Sequence, residues 1–181
     1  VTRNINCGSR ALTAPRQEWR TPRLLASLIV ERWDIDLDAT AHAGNAIVPR
    51  FFAPLHLPEG AVALDAYAVR WSDFGRNIFV NPPFASLGKT VQKAIEASED
   101  GCTVVLLAPD NGDTKWYAAI VDAGAHVLRF RGRLQYEPAA GVSSSQVAFP
   151  SALYVLDQDV RRPRGGIVPT FAICPQTMNV L

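Results

Sequence analysis

The seven residues from Cys102 to Ala108, CTVVLLA, restrict the fold more than any other stretch of the chain. Gly101 precedes them and Pro109 follows, so the run is bounded at both ends and too short for a typical helix. An apolar run of this kind, without polar alternation, suits a strand buried on both faces inside a parallel sheet. Helices flank it. Lys89 to Ala97 places Val91, Ala94 and Ile95 on one helical face, and 114–123 reads as a helix capped by Asp113 or Thr114 and stopped by Gly124. Asn77-Ile78-Phe79-Val80, Ala125 to Phe130 and Ser151 to Leu156 read as further strands. From residue 77 onward, strands and helices alternate and then end in two strands, which predicts an α/β fold.

Upstream, Thr21-Pro22 predicts a helix start, with threonine as the cap and proline at the first helical position. Leu24, Leu25, Leu28 and Ile29 then repeat at helical spacing over 22–32. Trp33 to Asp38 alternates apolar and acidic residues, as in a short strand ending on a carboxylate. Residues 39–70, with Asn45, Pro49, Pro54, Pro58 and the apolar run Ala61 to Leu64, predict loops with one short helix or strand. Residues 1–16 show no period and read as a loosely held arm, followed by a domain over 17–157. The stretch 158–181, with Arg161, Arg162, Arg164 and then Gly165-Gly166, reads as a peripheral tail. Ligands of α/β sheets gather at the carboxyl ends of the strands. Asp38, Asn81 and Pro109-Asp110 each follow a predicted strand, so the pattern puts them on one rim.

At 181 residues the chain is long enough for one sizeable core. A net charge of +1 gives no overall attraction to nucleic acid, so any basic footprint must be local. The three cysteines, Cys7, Cys102 and Cys174, are odd in number and far apart, which argues against a disulfide framework or zinc site and suits a reducing cytoplasm. Cys102 reads as core. His42, His56 and His126 share no spacing that suggests metal binding or acid–base chemistry. Trp116 reads as core under a helix in preference to a stacking surface. No segment has the length of a transmembrane helix and no signal-peptide pattern opens the sequence.

The strand at 77–80 runs directly into Asn81-Pro82-Pro83-Phe84. This tetrapeptide suits methyl transfer to an exocyclic amine, whose lone pair is delocalised and must be aimed at the methyl donor. Such a reaction needs fixed acceptors that hold the amine hydrogens as positive charge develops. The Asn81 side-chain oxygen is one acceptor and the Pro82 carbonyl a second, while the prolines stiffen the turn and donate no N–H. Phe84 offers a flat face on which an extruded base can stack. The same turn serves adenine, cytosine or glutamine amines, and an Asn-Pro-Pro tripeptide also occurs as a plain strand terminator.

Further motifs stand in order around it: Glu18-Trp19-x-Thr21-Pro22, Asp36-Leu37-Asp38-Ala39-Thr40-Ala41, Asn45, Pro49-Arg50-Phe51-Phe52, Trp71, Ala108-Pro109, Asp113-Thr114-Lys115-Trp116-Tyr117, Arg131-Gly132-Arg133-Leu134 and Phe149-Pro150-Ser151. Over roughly residues 17–156 this order resembles the phage-type DNA N6-adenine methyltransferases (Dam). The resemblance implies a Rossmann-like, S-adenosylmethionine (AdoMet)-dependent methyltransferase fold, a compact mixed sheet with flanking helices. It also implies AdoMet as methyl donor, adenine in double-stranded DNA as substrate, and short GATC-type sites. A phage or prophage enzyme of restriction–modification type, working in the bacterial cytoplasm without a membrane partner, follows from it.

Carried over by position, the resemblance implies a cofactor set of Trp19, Thr21, Pro22, Asp36, Asp38, Ala39 and Asp65. Thr21-Pro22 would meet the methionine end of AdoMet, or serve only as a helix start. Asp38, backed by Asp36, would hold the cofactor's amino group or ribose. Many methyltransferases carry a glycine-rich turn after this strand; here Ala39-Thr40-Ala41-His42-Ala43-Gly44 stands there. An acid is often found just before the tryptophan at 71, where this chain has Arg70, so Asp65 is the substitute. Arg129, Arg131 and Arg133, two residues apart, are expected on one face of a strand against DNA phosphates, and Gln146 in a Gly/Ser loop to read adenine. Two rival readings share these residues: an amino methyltransferase acting on RNA or protein glutamine, and an inactive DNA-binding or assembly module.

Overall fold

The computed structural model describes residues 19–52, 61–63, 65–137, 149–157 and 170–174. Its elements are α1 (Arg23–Trp33), β1 (Leu37–Asp38), β2 (Phe51–Phe52), β3 (Ala61–Ala63), β4 (Asn77–Val80), α2 (Leu87–Glu99), β5 (Thr103–Pro109), α3 (Lys115–Asp122), β6 (His126–Phe130), β7 (Ser151–Leu156) and β8 (Thr170–Ile173). The described strands form one eight-stranded sheet in the order β3-β2-β1-β4-β5-β7-β6-β8. β3, β2, β1, β4 and β5 run parallel, and β7 runs antiparallel to both β5 and β6. The result is a mixed, Rossmann-like α/β sheet.

The apolar run at 103–109 occupies a central position, as its composition demands. Val104, Leu106 and Ala108 enter one core cluster, with Val91 and Ala94 of α2 and Ile120 of α3. Val105 and Leu107 enter the other, with Leu25 and Ile29 of α1. Period-two alternation thus divides one strand between two faces, both covered by helices. Cys102 is fully buried and Trp116 packs partly buried against the first cluster, both as expected.

Strand order reverses between β1 and β4. The chain moves outward through β2 and β3, then returns to lay β4 against β1. A crevice at the carboxyl ends of these two strands is where such sheets bind ligands. Asp38 closes β1 there and Asn81 follows β4.

Several sequence expectations are corrected. α1 continues through Trp33 and ends at Asp34, whose φ of 48° is left-handed, so the strand is confined to Leu37–Asp38 and does not begin at Trp33. Thr21 is not the cap of α1: the residue at that position is Pro22, and Glu137 Oε1 accepts the Arg23 N–H at 3.0 Å. The stretch 39–70 holds two short strands, β2 and β3, beside its turns. Within the expected peripheral tail, β8 pairs in parallel with β6 and Ile173 is buried in the core. The expected arm at 1–16, Cys7, His56, Gln146 with its Gly/Ser loop, and Arg161, Arg162 and Arg164 lie outside the described residues.

Candidate active site

Asn81 is fixed by three hydrogen bonds. Its backbone N–H donates to Thr40 Oγ1 at 3.1 Å, tying β4 to the turn after β1. Its side-chain Nδ2 donates to the Trp19 carbonyl at 2.9 Å and to Thr21 Oγ1 at 3.1 Å. A carbonyl can only accept, so the amide must present its NH2 to that side. Among the described residues no donor reaches Asn81 Oδ1, which is left as the acceptor of the group. The Pro83 carbonyl is taken by the Ser86 N–H and hydroxyl at 2.9 and 2.8 Å. The Pro82 carbonyl accepts from none of the described residues.

Asp38 lies behind this turn, only 3% exposed. Its carboxylate accepts the Ile47 N–H at 3.1 Å and the Thr40 N–H at 3.5 Å. Burial pushes this carboxyl up to about 7, because two backbone donors only partly replace the lost water. Thr21, Asp38, Thr40, Asn45 and Asn81 line a polar recess of about 10 Å³. Asn45 Oδ1 accepts the His42 N–H at 2.7 Å and so shapes its wall.

A larger cleft of about 400 Å³ opens alongside, lined by Ala39, Thr40, Ala41, Phe52, Asp65, Ala66, Tyr67, Pro83 and Ser86. The small side chains at 39–41 occupy the place of a glycine-rich turn. Asp65 Oδ1 accepts the Tyr67 N–H at 2.8 Å, and the buried Trp71 Nε1 donates to the Ala66 carbonyl at 2.6 Å, so the tryptophan pins the turn that carries the acid. Tyr67 is held from the far side: its hydroxyl meets Thr90 Oγ1 at 2.9 Å, and Lys89 Nζ sits 4.0 Å from its ring centre. Arg70 pairs with Asp100 at 2.7 Å at the end of α2.

Phe84 is half-buried and meets Phe149 edge to face at 4.8 Å. Phe149 leads on to Tyr136, and Tyr136 to Trp19, at centroid distances of 6.3 and 6.2 Å. This aromatic wall runs from the Asn81–Phe84 turn back to the residue whose carbonyl holds Asn81. Burial pushes the Tyr136 phenol up to about 12, and its hydroxyl donates to Ser151 Oγ at 3.1 Å.

Two groups of expected site residues do not gather here. Asp36 caps the start of β4, accepting the N–H groups of Arg76 and Asn77 at 3.0 and 3.1 Å, at the opposite end of that strand from Asn81. The arginine triplet does not share a strand face: β6 ends at Phe130, and Gly132 at φ +88° breaks the alternation. Arg129 grips Asp110 through two nitrogens, at 2.5 and 3.2 Å, while Arg131 and Arg133 are exposed. Thr40, Asn45, Tyr67, Tyr136 and Phe149 were not singled out as site residues from sequence. Thr40, Asn45 and Phe149 carried a signal, as members of the ordered motifs, and Tyr67 and Tyr136 carried none.

The reversed strand order, the crevice between β1 and β4 and the proline-stiffened turn beside it together define a Rossmann-like α/β protein whose recess and cleft lie at the switch point of its sheet. Residues 8–176 match the model of the DNA N-6-adenine-methyltransferase (Dam) family, and the chain belongs to that family. It is 26% identical over 122 residues to the DNA N-6-adenine-methyltransferase of Escherichia phage T1, a match covering 67% of this chain and 48% of the relative. The chain thus spans about half the length of that relative. Among solved structures it is similar to a predicted O-methyltransferase from Agrobacterium tumefaciens, with a TM-score of 0.46 at 14% identity, covering 84% of this chain and 85% of that one. A precorrin-6y C5,15-methyltransferase from Geobacter metallireducens gives a TM-score of 0.42 at 12% identity, covering 77% and 93%.

Proposed function

We propose that this chain transfers a methyl group from AdoMet to the exocyclic amine of adenine in double-stranded DNA, at short GATC-type sites. The observation that carries the reading is Asn81: its NH2 is consumed by Trp19 and Thr21, so its oxygen alone remains to receive an amine hydrogen.

AdoMet supplies the electrophilic methyl group when bound. The residues present fit it. The 400 Å³ cleft is within the range of small-molecule sites, and Ala39 to Ala41 let a ligand approach the backbone closely. Asp65 offers a carboxylate and Tyr67 a braced aromatic face for the adenosine. Asp38 suits the methionine end, where an ammonium would draw out the charged form of the buried acid. Arg20 Nε, buried without a hydrogen-bond partner, suits the carboxylate of the same end.

On the substrate side, Asn81 Oδ1 and the Pro82 carbonyl accept the two amine hydrogens of a flipped adenine and orient its nitrogen. Pro82 and Pro83 keep that turn stiff, and Phe84, backed edge-on by Phe149, takes the base on its face. Arg131 and Arg133 serve the phosphates, with Gln146 as a groove reader; Arg129 is committed to Asp110. The enzyme works in the cytoplasm of a bacterial host, from a phage or prophage. Among the described residues no helix is long and apolar enough to cross a membrane.

The test is incorporation of labelled methyl from AdoMet into unmethylated DNA, RNA and protein side by side, followed by base-modification sequencing. Transfer to DNA adenine is expected, with Asn81→Ala lowering the rate by about 100- to 1,000-fold while AdoMet affinity stays within about threefold. Transfer to RNA or protein without transfer to DNA defeats the proposal.

A further inference from the structure

We infer that Thr21 is a positioning residue for Asn81: the Trp19 carbonyl sets the amide's orientation, and the Thr21 hydroxyl holds the second amide hydrogen and so keeps Oδ1 toward the target amine. The inference rests on the proposed reading of Asn81 and gives the Thr-Pro step a duty separate from holding cofactor.

A helix-cap threonine spends its hydroxyl on the N–H groups of its own first turn. Here the residue at the cap of α1, Pro22, offers no side-chain cap, and Thr21 Oγ1 is spent instead on Asn81 Nδ2, 60 residues away. Thr21 is 8% exposed, so its hydroxyl sits where a lost partner is costly. The Trp19 carbonyl takes the second amide hydrogen. With both hydrogens engaged, rotating the amide by half a turn would set Oδ1 against a carbonyl oxygen, and the wrong orientation is excluded.

The segment that performs this clamp is itself anchored. Arg20 and Glu137 exchange backbone hydrogen bonds at 3.1 and 3.0 Å in an antiparallel bridge. Glu137 also caps α1 through the Arg23 N–H, and Trp19 packs against Tyr136. The donor-facing side of Asn81 is therefore tied to the 134–137 segment, and its backbone to Thr40 on the cofactor side.

Thr21→Val keeps the shape and removes the hydroxyl; Thr21→Ser keeps the hydroxyl. Two readouts decide. In 15N-resolved spectra of the full chain, the Asn81 side-chain amide, assigned by its loss in Asn81→Ala, is expected to exchange at least about tenfold faster in Thr21→Val and near the wild-type rate in Thr21→Ser. In turnover with DNA, Thr21→Val is expected to lower kcat by about ten- to hundredfold while AdoMet Kd by calorimetry stays within about twofold, with Thr21→Ser restoring kcat. A tenfold weaker Kd at unchanged kcat would make Thr21 a cofactor contact and overturn the inference. Unchanged amide exchange in Thr21→Val overturns it as well, whether or not the wild type methylates DNA. Should Thr21→Val not fold, Thr21→Ala takes its place with the same criteria. Absence of DNA methylation by wild type alongside the expected exchange pattern defeats only the proposed function.

Discussion

Replacing Asp38 by asparagine retains the side-chain shape and one acceptor for the Ile47 N–H, and removes a carboxyl that burial has pushed from 3.8 to about 7. Below about pH 4 the folded and unfolded chains both hold the proton. Between about 4 and 7 the folded chain keeps it and the unfolded chain has released it, so stability falls as pH rises. Above about 7 both are ionised and the dependence flattens. At about 1.4 kcal/mol per pH unit, the full window is worth about 4 kcal/mol, and the experimentally gentle part from pH 5.5 to 7 about 2 kcal/mol. Urea unfolding of wild type and Asp38→Asn at several pH values from 5.5 to 8.5 isolates this carboxyl, because every other titrating group is common to both. The wild-type advantage should shrink by about 2 kcal/mol up to pH 7 and then stay level. A difference that is flat across the range would refute the claim that this acid is desolvated. On the proposed reading, an AdoMet ammonium seated against Asp38 must expel the proton, so AdoMet Kd should improve up to about tenfold per pH unit toward 7.

Two other sites give independent checks. Gly75→Ala would place a methyl group 2.6 Å from Asp36 Oδ1 and 2.7 Å from Leu37 Cβ, so a loss of about 1–3 kcal/mol in urea unfolding is expected. Arg129→Gln strips Asp110 of its bidentate partner and should cost about 1–2 kcal/mol, between exposed and buried pairs, since the two side chains are 40% and 15% exposed. It should leave the salt dependence of DNA affinity unchanged, whereas Arg131→Gln and Arg133→Gln should each lower that slope by about one. An equal drop with Arg129→Gln would show that its charge does reach phosphate.

How far the sequence reveals this molecule depends on whether a residue's partner is near it in the chain. β5 and β7 were readable because burial on both faces writes itself into every residue of the strand. β1 and β2, two residues each, exist only through pairing with neighbours, and no periodicity can accumulate over so short a length. β8 follows an Arg- and Gly-rich stretch and is made a strand by the open edge of β6. The Asn-Pro-Pro-Phe turn stands out in the sequence because its residue types lie side by side at the end of a strand. The acids around it do not: Asp36 and Asp38 belong to the same alternation, yet one caps the entry of β4 and the other is sealed in the rim recess. Nothing within that hexapeptide separates them; the neighbouring strand does. Thr21 makes the same point against a local rule, since its capping propensity yielded to an amide 60 residues distant that no other side chain among the described residues holds. Arg129 and Arg131 likewise parted company because β6 ends between them and Asp110 was already in reach of the first. Where a long-range partner is available and buried, it outweighs a propensity worth about 1 kcal/mol, and Thr21 and Asp38 show this at the rim that carries Asn81.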